Sequence, residues 1–377
     1  MARYLLLILA LWLSPNVALA QEASNANHPF AGKRAILDGD IPYWADKEYV
    51  DRTLERIKST GFNVYMPTVW QGRGTAWPSR HAPWDTQLKD QPKTNFDPLK
   101  YLIDKAHQMG IEVHPWFTLT LRQSDIFPEF ALPGTPNRAF DVHNAEFRKL
   151  MATLVAEVVE NYDVDGINLD YVRAIGLCVN EDCKREYGKL YGRNLEVDTA
   201  IFNLTFGKVP SLVEYQEKAV TAMIAAITDE VRRRKPNILI SVDALVGQVS
   251  VEQGQNSIEW ANKGMIDVIL RMDYRKQLNI NLADDLRGRL DNPDSLNLLI
   301  SNMSTEELPP GQKHFARDGK WLAETISTIH SHWPRTGVAI YVQKYLTDEQ
   351  TTALRTGPFR AQRDKATLSP PSNVQVE

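Results

Sequence analysis

Short β-branched, apolar runs alternate with amphipathic stretches along the chain, and eight such runs are found, at residues 34–38, 62–70, 111–117, 166–171, 238–243, 266–274, 298–302 and 338–342. The stretches between them carry helix signals. Asp46 precedes a segment with Val50, Leu54 and Ile57 on one face, closed by Gly61; Asp97-Pro98 opens the next, closed by Gly110; Asn144 opens a third that runs to about Tyr162. Residues 211–234 predict a long helix stopped by Lys235-Pro236, and residues 321–330 another that ends before Pro334. Eight strand and helix alternations predict an α/β fold of the (β/α)8 TIM-barrel type, occupying residues 30–360. A doubly wound open sheet is the alternative, but no glycine-rich phosphate turn follows the first strand.

Two connections are longer than a barrel requires: 71–95 after strand 2, with Trp77, Pro78, His81, Pro83 and Trp84, and 173–210 after strand 4, with both cysteines. Long loops at strand C-termini are where barrels keep their function. Residues 361–377 are polar, contain Pro370-Pro371, and read as a disordered tail.

The chain of 377 residues is 43% apolar, enough for one large core, and its net charge of −4 gives no surface for nucleic acid. Residues 1–20 read as a signal peptide: Arg3, an apolar run from Tyr4 to Leu13, and the small-residue ending Ala18-Leu19-Ala20. Ser14, Pro15 and Asn16 break the run too early for a stable membrane anchor, so a periplasmic or extracellular location is expected. In an oxidising compartment Cys178 and Cys183 are expected to pair, whereas a zinc site would need two further ligands that no nearby histidine supplies.

Side chains alternate along a strand, so every second residue of a barrel strand points inward. If apolar residues face the helices, the inward set is Asp38 on strand 1, Tyr65 on strand 2, His114 and Trp116 on strand 3, Asn168 and Asp170 on strand 4, and Ser241 and Asp243 on strand 5. Strand 6 adds Arg271 and Asp273, strand 7 Asn302 and strand 8 Tyr341. Four carboxylates, Asp38, Asp170, Asp243 and Asp273, are thereby expected to converge near the mouth with Arg271 and Arg173. Like charges in a partly dry cleft raise the pKa of at least one, which suits a general acid working beside an ionised partner. Any one of them can instead cap a loop or pair with arginine, and Asp165, at the wrong end of strand 4, reads as structural.

Of nine tryptophans, five (Trp44, Trp70, Trp77, Trp84 and Trp116) fall at or just beyond strands 1 to 3. Flat apolar faces beside hydrogen-bonding groups suit pyranose rings, so the cluster is read as a sugar-binding groove, with Tyr274 at the end of strand 6. A metal-dependent hydrolase is the rival on the same fold, but the His-x-His pair, His330 and His332, ends a helix on the opposite face, and His114 alone reads as a hydrogen-bonding barrel residue. No metal or other cofactor is expected.

The segment Tyr162-Asp163-Val164-Asp165-Gly166-Ile167-Asn168-Leu169-Asp170-Tyr171-Val172-Arg173 resembles the strand 4 signature of the glycosyl hydrolase-like 10 family, bacterial envelope proteins. Gly61-Phe62-Asn63-Val64, Asp97-Pro98-Leu99, Ala106-His107 and Gly110-Ile111-Glu112-Val113-His114-Pro115-Trp116-Phe117 extend the resemblance, which spans about Lys33 to Tyr341. More distantly, strand 4 and the run from Ile266 to Tyr274 are similar to family 18 chitinases, whose pattern ends in a catalytic Glu where this chain has Val172. That departure excludes a chitinase mechanism using that acid. Strand 7 ends in Ser301-Asn302, a poor match to barrels with a Glu nucleophile there.

The resemblance implies a carbohydrate-active barrel centred on Asp170, with Asp273 as catalytic partner and Asp243 or Asp38 as the alternatives. The substrate it implies is a bacterial cell-wall glycan or other polysaccharide or oligosaccharide. A non-catalytic glycan-binding barrel is the competing reading, favoured by Val172 and opposed by the number of carboxylates.

Overall fold

The computed structural model describes residues 28–88, 96–134, 138–205, 209–245, 252–304 and 314–360; the predicted signal and tail lie outside them. Eight parallel strands close into a barrel: β1 (Arg34–Asp38), β2 (Val64–Trp70), β3 in two pieces (Glu112–Val113 and Trp116–Thr118), β4 (Gly166–Asp170), β5 (Leu239–Ala244), β6 (Val268–Asp273), β7 (Leu296–Ser301) and β8 (Val338–Tyr341). Neighbours in sequence are neighbours in the sheet, and β1 pairs with both β2 and β8 to close it. The predicted barrel is thus borne out, with strand ends shifted by a residue or two. Pro115 has no N–H to give and splits β3, yet the ladder continues around it: His114 N donates to Tyr65 O at 2.9 Å, and Asn168 N to Pro115 O at 2.9 Å.

The helices form where their caps are placed. In α1 (Lys47–Thr60) the Asp46 carboxylate accepts from Tyr49 N, and Gly61 ends the helix in the left-handed region, with φ of 107°. α2 (Pro98–Gln108) has Pro98 in its first turn and the Asp97 carboxylate on Lys100 N. Asn144 caps α3 (Ala145–Asn161). The connection after β4 folds into two helices that the sequence did not disclose, α4 (Glu181–Tyr191) and α5 (Leu195–Thr205), before the long α6 (Pro210–Arg234). A disulfide between Cys178 and Cys183 ties the loop to the first turn of α4, as expected. Beyond α7 (Ser257–Asn262) and α8 (Ile280–Arg287), α9 (Gly319–His332) and α10 (Asp348–Thr356) complete the outer layer.

Two apolar layers lie on either side of the strand wall. Ile36, Ile167, Leu169, Ile240, Val242 and Ile300 pack outward against the helices. Ala35, Leu37, Val64, Met66, Leu239, Val268, Leu270, Leu299 and Ala339 form a separate cluster with Trp116 inside the barrel. A barrel of this size is filled by side chains and is not a pore. The loop after β2 is fastened to the helical layer by the buried Glu157 of α3, whose carboxylate accepts from Trp77 Nε1 at 3.0 Å, from Ser79 Oγ, and from Arg80 N at 2.9 Å.

Candidate active site

The polar part of the lumen is built by three adjacent strands. Parallel register places Trp116 beside Asn168, Thr118 beside Asp170, and Asn168 beside Ser241, and residues side by side in a parallel pair share a face. Asn168 Nδ2 donates to Ser241 Oγ at 3.0 Å and to Asp243 Oδ1 at 3.0 Å, joining β4 to β5 beneath the mouth. Asp243 Oδ2 is buried and, among the described residues, has no hydrogen-bond partner. Asp170 Oδ1 accepts from Tyr171 N at 2.6 Å, and the Trp116 indole N–H lies close to this carboxyl without completing a hydrogen bond.

Burial raises the pKa of both carboxyls, but not equally. For Asp243, burial acts first and the negative charge of Asp170 adds to it, pushing it well above the ordinary carboxylate range against the hydrogen bond from Asn168. For Asp170, burial is again the largest cause, opposed by the Arg173 guanidinium and by the backbone N–H of Tyr171. Two buried like charges cannot both ionise cheaply, and the Arg173 guanidinium and the Tyr171 N–H favour the charge on Asp170.

The chain leaves β4 under strain. Tyr171 sits in the left-handed region at φ of 51°, which a bulky residue adopts only when its surroundings impose it. Thr120 supplies part of that restraint, its hydroxyl lying 2.7 Å from Tyr171 O and 2.8 Å from Arg173 O. The turn brings the Arg173 guanidinium over the Tyr171 ring, 4.3 Å from its centroid, with Nη1 buried and without a protein partner among the described residues. Neither Tyr171 nor Thr120 was singled out from sequence; a Tyr directly after the last strand residue gave no signal of a left-handed conformation.

Aromatic rings line the mouth beside the pair. Tyr274 stacks on Tyr341 with centroids 5.5 Å apart, and Trp116 meets Tyr341 edge-on at 6.4 Å. Burial, then the charges of Asp243 and Asp170, raise the Tyr274 hydroxyl well above its usual range, so it stays a neutral donor.

Four other strands overturn the expected facing. Asp38, Tyr65, Arg271, Asp273 and Asn302 lie on the helix side of the wall, because Leu37, Val64, Met66, Val268, Leu270, Met272 and Leu299 take the lumen. The outward carboxylates and Asn302 are answered there, whereas Arg271 Nε is buried with no hydrogen-bond partner among the described residues. Asp38 Oδ2 accepts from Tyr65 at 2.6 Å and from Tyr49 at 3.2 Å, and burial lifts its pKa to about 6 against the Tyr65 bond. Asp273 is held by Arg275 through two bonds, at 2.8 and 2.9 Å, with Arg271 at 3.2 Å and Asn279 N at 3.0 Å. Asn302 bonds Gln350 and Val342 N. The four carboxylates therefore do not converge: Asp170 meets Asp243, while Asp38 and Asp273 are tied up behind the wall.

The tryptophan groove is also corrected. Trp44, Trp70 and Trp77 are fully buried in the outer core, with Trp44 Nε1 bonded to Thr68 O at 3.0 Å, and Trp84 packs against the same core. Of the five, Trp116 alone lies in the lumen cluster. His114 points inward but low in the barrel, its ring over Gly166 and its Nε2 3.3 Å from Glu112. At that same end Asp165 accepts from Val113 N at 2.8 Å, the structural part expected of it.

Asp141, Cys178 and Cys183 place three possible metal-binding atoms within 4.8 Å of one another. Both sulfurs are consumed by the disulfide, so the cluster offers no thiolate and does not suit a metal.

Comparison with known proteins agrees with this architecture. A sequence model of the family described as glycosyl hydrolase-like 10 matches residues 34–131 and 133–289. The chain is 23% identical over 274 residues to the glycosyl hydrolase DigH of Escherichia coli K12, covering 59% of this chain and 56% of that protein, so it spans little more than half the length of that relative. Among solved structures, alpha-L-fucosidase isoenzyme 2 from Paenibacillus thiaminolyticus superposes with a TM-score of 0.63 at 13% identity, over 90% of this chain and 50% of that one. The PgaB (BpsB) glycoside hydrolase domain from Bordetella bronchiseptica gives a TM-score of 0.60 at 12% identity, over 86% and 98% respectively. At such identities the superpositions speak for the fold.

Proposed function

The chain belongs to the glycosyl hydrolase-like 10 family, and from that premise we propose that it is an exported glycoside hydrolase whose catalytic pair is Asp170 and Asp243. The observation that carries this reading is the burial of two carboxyls side by side in the lumen, with Asp170 ionised more readily than Asp243. A glycosidase requires one carboxyl that keeps a proton and one that gives it up. In the free protein the pair holds one proton, on Asp243. When a sugar enters, the Asp170 carboxylate faces the positive charge that develops at the anomeric carbon, and the proton passes from the pair to the departing glycosidic oxygen. Water then completes the exchange: its hydroxyl bonds to the anomeric carbon and its proton returns to the pair, so the carboxyls end as they began.

The surrounding groups have definable parts in this scheme. Arg173 favours the ionised form of Asp170, Asn168, itself bonded to Ser241, holds Asp243 in place, and the rings of Trp116, Tyr274 and Tyr341 offer faces to pyranose C–H groups. The family's envelope setting and the leader-like residues 1–20 favour a cell-wall glycan or exopolysaccharide as substrate.

The test is reducing-end release and product masses from cell-wall glycan strands, chitooligosaccharides and neutral polysaccharides, with the parent chain, Asp170→Asn and Asp243→Asn. Release by the parent and by neither variant supports the pair. Binding without release by the parent would establish instead a non-catalytic glycan-binding barrel, the reading to which Val172 lends weight.

A further inference from the structure

A second concave site lies on the same face of the barrel, where the loops after β6 and β7 meet. It is a groove of about 410 Å³ that includes Lys276, Phe315, Arg317, Lys320 and Trp321. That volume falls within the roughly 300–1,000 Å³ of small-ligand sites. We infer that this groove is a further saccharide subsite beside the Asp170–Asp243 mouth, which takes a sugar ring of an extended oligosaccharide other than the two joined by the bond that is cut.

Three observations point there. Phe315 is 55% exposed, an aromatic face left open to solvent beside a concave site. The groove is stiffly built: the Arg317 guanidinium lies 4.5 Å from the Trp321 ring centroid, its Nε donates to Met303 O at 2.8 Å, and Trp321 Nε1 donates to Lys276 O at 3.1 Å. Finally, Arg317 Nη2 donates to Tyr274 O at 2.7 Å, and Tyr274 carries its ring against Tyr341 beside the carboxyl pair. Tyr274 thus adjoins both the groove and the mouth, so that one oligosaccharide could reach from the first to the second. On the rim Trp321 N donates to Asp318 at 2.9 Å and Lys320 lies 3.8 Å from Glu324, which leaves Lys276 as the cationic donor beside the apolar ring. Sugar hydroxyls and carbonyl oxygens suit the former, and pyranose faces the latter.

The inference rests on the mouth being a saccharide site, and its test is arranged to separate the two. Calorimetric binding is measured on Asp170→Asn with chitooligosaccharides from the disaccharide to the hexasaccharide and with solubilised cell-wall glycan strands. The long ligands are expected to bind at least about tenfold more tightly than the disaccharide. In Asp170→Asn with Phe315→Ala that advantage disappears while disaccharide affinity is unchanged, and Lys276→Ala in the same background reduces it. Affinity independent of length, retention of the advantage without Phe315, or no binding by any of these glycans overturns the subsite. Length-dependent binding without turnover by the parent would sink the hydrolase alone; turnover by the parent with length-independent affinity would sink the groove alone.

Discussion

Asp243 accepts a single side-chain hydrogen bond, from Asn168 at 3.0 Å, and its second oxygen faces no donor among the described residues. A buried carboxyl so sparsely bonded is stable only while protonated, and its one partner also fixes where it points. Asn168→Ala is therefore expected to cost about 1–3 kcal/mol in denaturant unfolding, the usual penalty for orphaning a buried polar group. Glycan release should fall by more than about tenfold, as for loss of a group that orients the chemistry. Unchanged turnover in a destabilised Asn168→Ala chain would remove Asp243 from the mechanism.

Thr120 is expected to act by position. Thr120→Val removes the hydroxyl that bridges Tyr171 O and Arg173 O, in a turn storing about 1–3 kcal/mol of backbone strain. The relaxed turn carries Arg173 away from Asp170, so kcat should drop while KM changes little, and the acid limb of the pH profile should move to higher pH as Asp170 becomes harder to ionise. Thr120→Ser restores the hydroxyl and should restore the profile.

Asp38 gives a pH prediction of known sign. Burial raises its pKa from 3.8 to about 6 in the folded chain, which then binds protons that the unfolded chain releases. Stability is consequently lost as pH rises from about 4 to about 6, by an amount on the order of 2 to 3 kcal/mol. Asp38→Asn should flatten this part of the curve, measured as Tm against pH. Because Asp38 faces the helices, turnover should stay within about threefold of the parent; a larger loss would place it in the chemistry after all.

Gly166 and His114 make a steric pair. A Cβ at Gly166 would stand 2.8 Å from the His114 ring, so Gly166→Ala is expected to destabilise by about 1–3 kcal/mol through overpacking. Combined with His114→Ala, the cost should be smaller than the sum of the single changes, a coupling that a double-mutant cycle reads directly.

Removing the Cys178–Cys183 bridge should mark the helical insert. Closing so short a loop stabilises by about 2 kcal/mol in the chain-entropy account, and Cys178→Ser with Cys183→Ser should open the segment around α4 to limited proteolysis. Equal resistance before and after the change would show that packing of Tyr187, Leu195 and Tyr215 holds the insert unaided.

The order and number of strands were legible because the period of apolar runs survives whichever way each strand faces. Facing itself was legible only where one face was plainly apolar. Ile167 and Leu169, or Ile240 and Val242, leave no choice on β4 and β5, and there the inward residues were identified correctly. On β6 the same rule inverted the strand, since Val268, Leu270 and Met272 are as suited to a filled lumen as to a helix layer. The polar side chains at its end looked like a mouth, yet the loop that follows provides Arg275 and Asn279 N to satisfy them on the other side. β2 carried no alternation to read, because Val64, Tyr65 and Met66 are all buried. A polar residue at a strand end reports that a partner exists, and sequence does not say on which side that partner stands.

Glu157 carries a consequence for the order of the loop after β2. Three donors from the loop after β2 converge on this one carboxylate, so the backbone around Ser79 and Arg80 has already surrendered its freedom when the chain folds. The segment is therefore held to the outer helical layer by polar bonds as well as by the packing of Trp77, and loss of that one carboxylate would release three anchors at once.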